Sequence, residues 1–264
     1  MDYLAFISVI FYLFSGLLAT RQLFSTQIKF DYKIIVLSII TFALHVTWLY
    51  QHIFVVQGQD LPILNVVSLV SFLIALFSLI ISKNLNTGIL LPIVYGFNIL
   101  NFIALIYLPS HYITNLENNP QVGSHIIFAL LAYAMMSIAS LFALLLAYVD
   151  YRLKQHKSPI NTLNIPPLMT LEKSLFQFIF IGFLLLTCTL LTGFVFLEDM
   201  FAAENAHKTV LSIAAWIIYS VLLWGHYKKG WRGRLVIYIT IIGSSFLTLA
   251  YFGSRFVREV ILLN

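Results

Sequence analysis

Apolar runs of 18 to 25 residues fill the chain near 3–20, 34–56, 64–82, 89–108, 125–149, 175–197, 209–226 and 235–252. Each is long enough to cross a hydrocarbon core of roughly 30 Å. Backbone groups in lipid must be satisfied within the segment, so the pattern predicts eight transmembrane helices. The expected fold is all-α, a polytopic membrane helix bundle forming one transmembrane domain over 1–264, with no second soluble domain and no clear internal repeat. The longest join, 150–174, carries PINTLNIPPLMTLEKS, where Pro166 and Pro167 break helix and Thr170 is placed to cap the sixth span.

Composition agrees with the pattern. The 264 residues are 61% hydrophobic and 9% charged, with a mean hydropathy of +0.94, which leaves too little polar surface for a water-soluble fold and makes the lipid bilayer the first partner. The first run, MDYLAFISVIFYLFSGLLAT, has an acid at position 2 and no basic region ahead of it, so it reads as a retained helix and not a cleaved signal. The single cysteine, Cys188, excludes intrachain disulfides and CxxC chemistry.

The net charge of +5 does not indicate nucleic acid, because the cations sit in the joins between apolar runs. Arg21, Lys29, Lys33, Lys83, Arg152, Lys154, Lys157, Lys173, Lys228, Lys229, Arg232 and Arg234 occupy alternate joins, twelve of the fifteen cations. The opposite joins hold Lys208 against Asp60, Glu117, Glu198, Asp199 and Glu204. The positive-inside rule then places both termini outside the cytoplasm, with Arg255 and Arg258 of the C-terminal tail as the exception.

Helix faces carry the next signal. Asn65, Ser68, Ser71, Ala75, Ser78 and Ser82 share one face of the third span, and His125, Ala129, Ala132, Ala139, Ala143 and Ala147 one face of the fifth, as close helix packing in lipid requires. Thr41, His45, Trp48 and His52 share a face of the second span, and Ser212, Trp216, Tyr219, Leu223 and His226 a face of the seventh. An intramembrane histidine needs a partner: a hydrogen bond across a helix interface, or an iron, since imidazole is a usual axial ligand of haem. His111, His156 and His207 fall in joins and read as solvated. No HExxH, Walker A, GxSxG or zinc-spaced Cys/His set is present, and no Asp or Glu lies deep in a span to run a proton-coupled carrier.

The run AWIIYSVLLWGHYKKGWRGRLVIYITIIGSSFLTLAYFGSRF resembles the C-terminal part of the cytochrome c assembly membrane proteins, the CcsA and HemX-like superfamily. LNVVSLVSF, LLPIVYGFNILN, HIIFALLAYAMMSIASLFALLLAYVDYRLK and PPLMTLEK resemble its YpjD-type branch, which is found in the bacterial inner membrane. The resemblance implies haem binding or handling during cytochrome maturation, with superfamily histidines at His125 and His226 and a branch position at His45. The tryptophan-rich WWD segment that presents haem in transporting members is missing: GFVFLEDMFAAENAHKTV, from Gly193 to Val210, contains no tryptophan. No histidine follows His226, so the second outer histidine is missing too, which argues against a full haem lyase and for a non-catalytic protein.

The reading carried forward is therefore haem b bound through two of His45, His125, His226 and His52, with Trp48 and Trp216 lining the pocket and a further membrane protein of cytochrome maturation as partner. On the predicted boundaries His45 sits near the midplane, His125 near the outer edge and His226 near the inner edge, which makes His52 a better partner for His125. Two other readings stand beside it. One is an accessory or scaffold subunit without a cofactor. The other is a small-molecule or ion carrier using the stripe from Asn65 to Ser82 with Asn98 and Asn101.

Overall fold

The computed structural model describes residues 2–24, 31–56, 58–85, 88–108, 110–116, 118–154, 166–197 and 206–253. Its helices are α1 (Tyr3–Leu23), α2 (Tyr32–Ile53), α3 (Ile63–Leu85), α4 (Leu90–Tyr107), α5 (Pro120–Lys154), α6 (Leu168–Phe196), α7 (Ala206–Lys229) and α8 (Arg234–Thr248), the last continuing as a π-helical turn, Leu249–Gly253. Among the described residues eight helical segments are long and apolar enough to cross a bilayer, as the pattern predicts. Lys29, Glu117, His156, Lys157, Glu198, Asp199, Glu204, Arg255 and Arg258 lie outside the described residues.

The helices are inside-out relative to those of a water-soluble bundle. In α1 the buried positions are Ala5, Ser8, Tyr12, Ser15, Ala19 and, at its end, Leu23, spaced for one helical face, while Ile10, Leu13, Phe14 and Leu17 are exposed. Lipid is as apolar as leucine, so burying leucine gains little there, whereas small residues allow close approach and polar ones find partners. The small and polar stripe of α3 follows the same rule, with Ser68, Ser71, Ala75, Ser78 and Ser82 all fully buried.

The helix boundaries depart from the hydropathy pattern, most informatively at α2, α5 and α6. Helix α2 stops at Ile53 and not at 56, because Phe54–Val55 forms strand β1 of a small antiparallel sheet with β2 (Gly58–Asp60) and β3 (Ile113–Thr114), ordered β1-β2-β3. The all-α bundle thus carries one short sheet that apolar periodicity did not predict. Helices α5 and α6 extend to Pro120–Lys154 and Leu168–Phe196 because their polar ends continue the helical path past the apolar core. Leu171 and Leu175 of the TLEKSL stretch are buried, so Thr170 lies within the first turn of α6 and does not cap it.

The chain divides into two compact units, residues 1–115 with 156–167, and 116–155 with 168–264. In the first, α1 packs on α2 and α4, and α3 on α2 and α4, a four-helix ring in chain order. In the second, α5 packs on α6 and α8, and α7 on α6 and α8, with the same connectivity. Asp150 of α5 joins Arg234 of α8 at 3.4 Å and Lys154 at 2.7 Å on the surface of the second unit.

Candidate functional site

The predicted face of α2 is bonded along α1. Ser15 Oγ meets Thr41 Oγ1 at 2.9 Å and Tyr12 Oη meets His45 Nδ1 at 2.6 Å. Further along, Asp2 Oδ2 accepts from Trp48 Nε1 at 2.5 Å and faces His52 Nε2 at 3.1 Å. Asp2 also caps α1 by accepting the Ala5 N–H at 3.2 Å. The second nitrogen of His45, Nε2, meets Ser68 Oγ of α3 at 2.9 Å, and the ring is fully buried with Phe72 and Phe102 against its faces and edges. Both nitrogens of His45 are thereby committed to hydroxyls. His52 Nδ1 donates to the Trp48 carbonyl at 2.9 Å while Nε2 faces the Asp2 carboxylate, so both of its nitrogens face acceptors.

The sheet builds a second cluster in the same unit. Strand pairing sets Asp60 opposite Ile113, and Leu61 N–H donates to the Tyr112 carbonyl at 2.8 Å. Asp60 accepts the Tyr112 N–H on Oδ1 and faces His111 Nδ1 with Oδ2, both at 2.6 Å. Asp2, Trp48, His52, Asp60, Asn65 and His111 all line one cavity of about 820 Å³, together with apolar side chains from α1 and α4. Sequence reasoning set His111 aside as a solvated loop histidine and gave Asp2 and Asp60 no site role. The signal available was the VVQGQD stretch, whose glycine after an apolar run marks a turn and so brings Asp60 back over the helix ends.

In the second unit His125 Nδ1 lies 3.0 Å from the Thr189 carbonyl and 3.3 Å from Thr192 Oγ1, both on α6. A carbonyl only accepts, so the proton sits on Nδ1 and Nε2 keeps its lone pair. Among the described residues no partner reaches Nε2. His125, Tyr133, Lys208, Thr209, Ser212 and Tyr251 line a cavity of about 250 Å³. Tyr251 belongs to the π-helical turn and stacks on Tyr133 with ring centroids 5.8 Å apart.

His226 ends α7 differently. Its Nδ1 donates to the Trp231 carbonyl at 3.2 Å, and its ring stacks on Phe176 of α6 at a centroid distance of 3.4 Å. Trp216 donates to Thr187 Oγ1 at 2.9 Å and stacks on Phe183. It lines neither cavity, unlike Trp48, which was expected to share that role.

Iron ligation needs an unoccupied imidazole lone pair, and this condition sorts the candidates. His45 and His52 do not meet it. His125 and His226 do, but they contact α6 at Thr189 and at Phe176, about 20 Å apart along the helix at ~1.5 Å per residue. Axial ligands sit about 2 Å from a shared metal, so these two do not form a pair. Of these four, His125 alone combines an open nitrogen with a cavity, and within neither unit do two of them present open nitrogens to one place. The carrier stripe is bonded internally in part: Ser71 Oγ donates to Asn98 Oδ1 at 2.9 Å and Asn98 Nδ2 to the Val94 carbonyl at 2.9 Å, whereas among the described residues Ser78 Oγ and Asn101 Oδ1 find no hydrogen-bond partner.

Buried polar ladders between apolar helices define a multi-pass α-helical membrane protein. The sequence matches the cytochrome C assembly protein family over residues 33–262, and the chain belongs to that family. It is 47% identical to the inner membrane protein YpjD of Escherichia coli K12 over 205 residues, 78% of each chain. It is also similar to the cytochrome c biogenesis protein CcsA of Guillardia theta, at 23% identity over 152 residues, 51% of this chain and 50% of the relative. A CcsA of Prochlorococcus marinus MIT 9303 is 24% identical over 96 residues, 36% of this chain and 30% of its own. No solved structure matches the chain. With its eight apolar helices, the chain is a multi-pass inner-membrane protein.

Proposed function

We propose that this protein handles haem during cytochrome c assembly without catalysing a reaction, and that His125 is the imidazole it offers to the iron. The observation that carries the proposal is the state of that ring: Nδ1–H is held by the Thr189 carbonyl, and Nε2 stays open beside a cavity. A ligating histidine is oriented this way, because the bond on one nitrogen fixes the tautomer and the angle of the other. Haem b, when bound, supplies the redox-active iron. At about 250 Å³ the cavity is smaller than the roughly 300–1,000 Å³ of pockets that enclose a ligand, which favours a group held at the mouth and passed on. The distribution of basic joins puts His125 at the non-cytoplasmic end.

Haemin titration of the detergent-purified chain tests this, with a pyridine haemochrome assay to identify the haem. The wild type, His45→Ala and His226→Ala are expected to develop a Soret band of equal amplitude, and His125→Ala to lose the share of it that this imidazole carries. An unchanged band in His125→Ala overturns the assignment. The complete hydrogen bonding of His45 favours a second reading, an accessory subunit whose histidines are packing devices; absence of any band in the wild type would favour it over haem handling.

A further inference from the structure

We propose that His111, backed by Asp60, is a second imidazole site for a metalloporphyrin, in the large cavity of the first unit; the proposal rests on the haem-handling reading but not on His125. The chemistry begins with the carboxylate. Asp60 is 6% exposed and His111 80% exposed, so the carboxylate is inside and the ring it holds is outside. Oδ2 accepts the His111 Nδ1–H at 2.6 Å, which leaves the lone pair on Nε2, and no described residue binds that atom. A carboxylate behind the far nitrogen makes an imidazole a better metal ligand and fixes its direction. The backbone holds this geometry, because Asp60 pairs with Ile113 across β2 and β3 and Tyr112 N–H fills Oδ1.

The surroundings select the class of ligand. Among the described residues no three His, Cys, Asp or Glu side chains are grouped to hold a metal ion, so a bare cation finds too few ligands here. A metalloporphyrin brings its own equatorial nitrogens and needs the protein for an axial one. The cavity offers about 820 Å³, within the size range of ligand pockets, and Trp48 and His52, stacked on each other at 4.2 Å and 15°, are among its lining residues. Apolar side chains including Phe6, Leu105 and Ile106 line the rest.

Asp60→Asn is the decisive variant because it changes one proton. The Tyr112 N–H requires an oxygen at Oδ1, so the new amide nitrogen must face His111 and donate to Nδ1. The ring proton then moves to Nε2 and removes the lone pair that would bind iron, while shape and strand pairing are kept. Haemin titration with the full chain in detergent is expected to give two equivalents, one lost in His111→Ala and in Asp60→Asn, the other lost in His125→Ala. Added imidazole should restore the first equivalent in His111→Ala, which a purely structural loss would not allow. One equivalent that survives His111→Ala and disappears in His125→Ala overturns this proposal and leaves the His125 site standing. One equivalent lost in His111→Ala and Asp60→Asn but kept in His125→Ala supports this site and overturns the other. No binding by the wild type overturns both.

Discussion

Tyr12 Oη and His45 Nδ1 lie 2.6 Å apart, and both side chains are fully buried. Together with the 2.9 Å bond from Nε2 to Ser68, this makes His45 a bolt through α1, α2 and α3. Tyr12→Phe removes one bond at nearly constant volume and is expected to cost about 0.6 kcal/mol, the average for hydrogen bonds between membrane helices, and no more than about 1.7 kcal/mol. His45→Ala also opens a cavity and strands two hydroxyls, for about 2–4 kcal/mol. Unfolding midpoints in mixed detergent measure both. If His45→Ala unfolds like the wild type, the bolt is not structural.

Asp2 serves two roles that separate by mutation. It caps α1 through the Ala5 N–H and anchors Trp48 and His52 of α2. Asp2→Ser keeps a cap but is too short to reach the indole, so the Trp48 Nε1–H resonance in an NMR spectrum should move while α1 stays helical. Asp2→Ala should lose about 1 kcal/mol more than Asp2→Ser through the cap. Equal effects of the two substitutions would show that the cap contributes nothing.

Eight spans were legible because hydrocarbon imposes length and apolarity on each one separately, without reference to its neighbours. The faces of α2 and α3 were legible for a related reason: polar groups in a span must turn inward, and helical spacing then names them. Which partner each finds was not. His45 could equally have met iron, and only the placement of Tyr12 and Ser68 decides between the two; these lie 33 and 23 residues away in sequence. The sheet escaped notice because strands of two and three residues carry no periodicity, and with it went Asp60 and His111.

Gly58 is where that sheet is vulnerable. Its φ of +132° suits glycine, and an added Cβ would meet Asn115 Oδ1 and the Thr114 carbonyl, so Gly58→Ala combines backbone strain with a clash against backbone. The expected cost is about 1–3 kcal/mol, confined to β1–β3. Amide hydrogen exchange should rise at Gln59, Leu61 and Tyr112 and stay unchanged along α3. Protection retained at those amides would mean that the turn tolerates a side chain.

Gly225 and Trp231 form the equivalent close approach in the second unit. The Trp231 ring lies over Gly225, so that a Cβ there would overlap ring carbons Cδ2, Cε3 and Cζ3, while the Trp231 N–H donates to the Gly225 carbonyl at 3.1 Å. The same turn takes the His226 Nδ1–H on the Trp231 carbonyl, so the GHYKKGW stretch folds back on the end of α7 through one tryptophan. Gly225→Ala must expel the ring, for about 1–3 kcal/mol as in other overpacked sites. Trp231→Ala removes the obstacle and forfeits its packing. If the contact is the cause, Gly225→Ala adds almost nothing in a Trp231→Ala background, and the double-mutant cycle shows a coupling close to the whole single-mutant cost. Additive costs would place the damage elsewhere on the buried Gly225 face. His226→Ala should then weaken the same turn without altering a Soret band, because His226 lines neither of the two cavities.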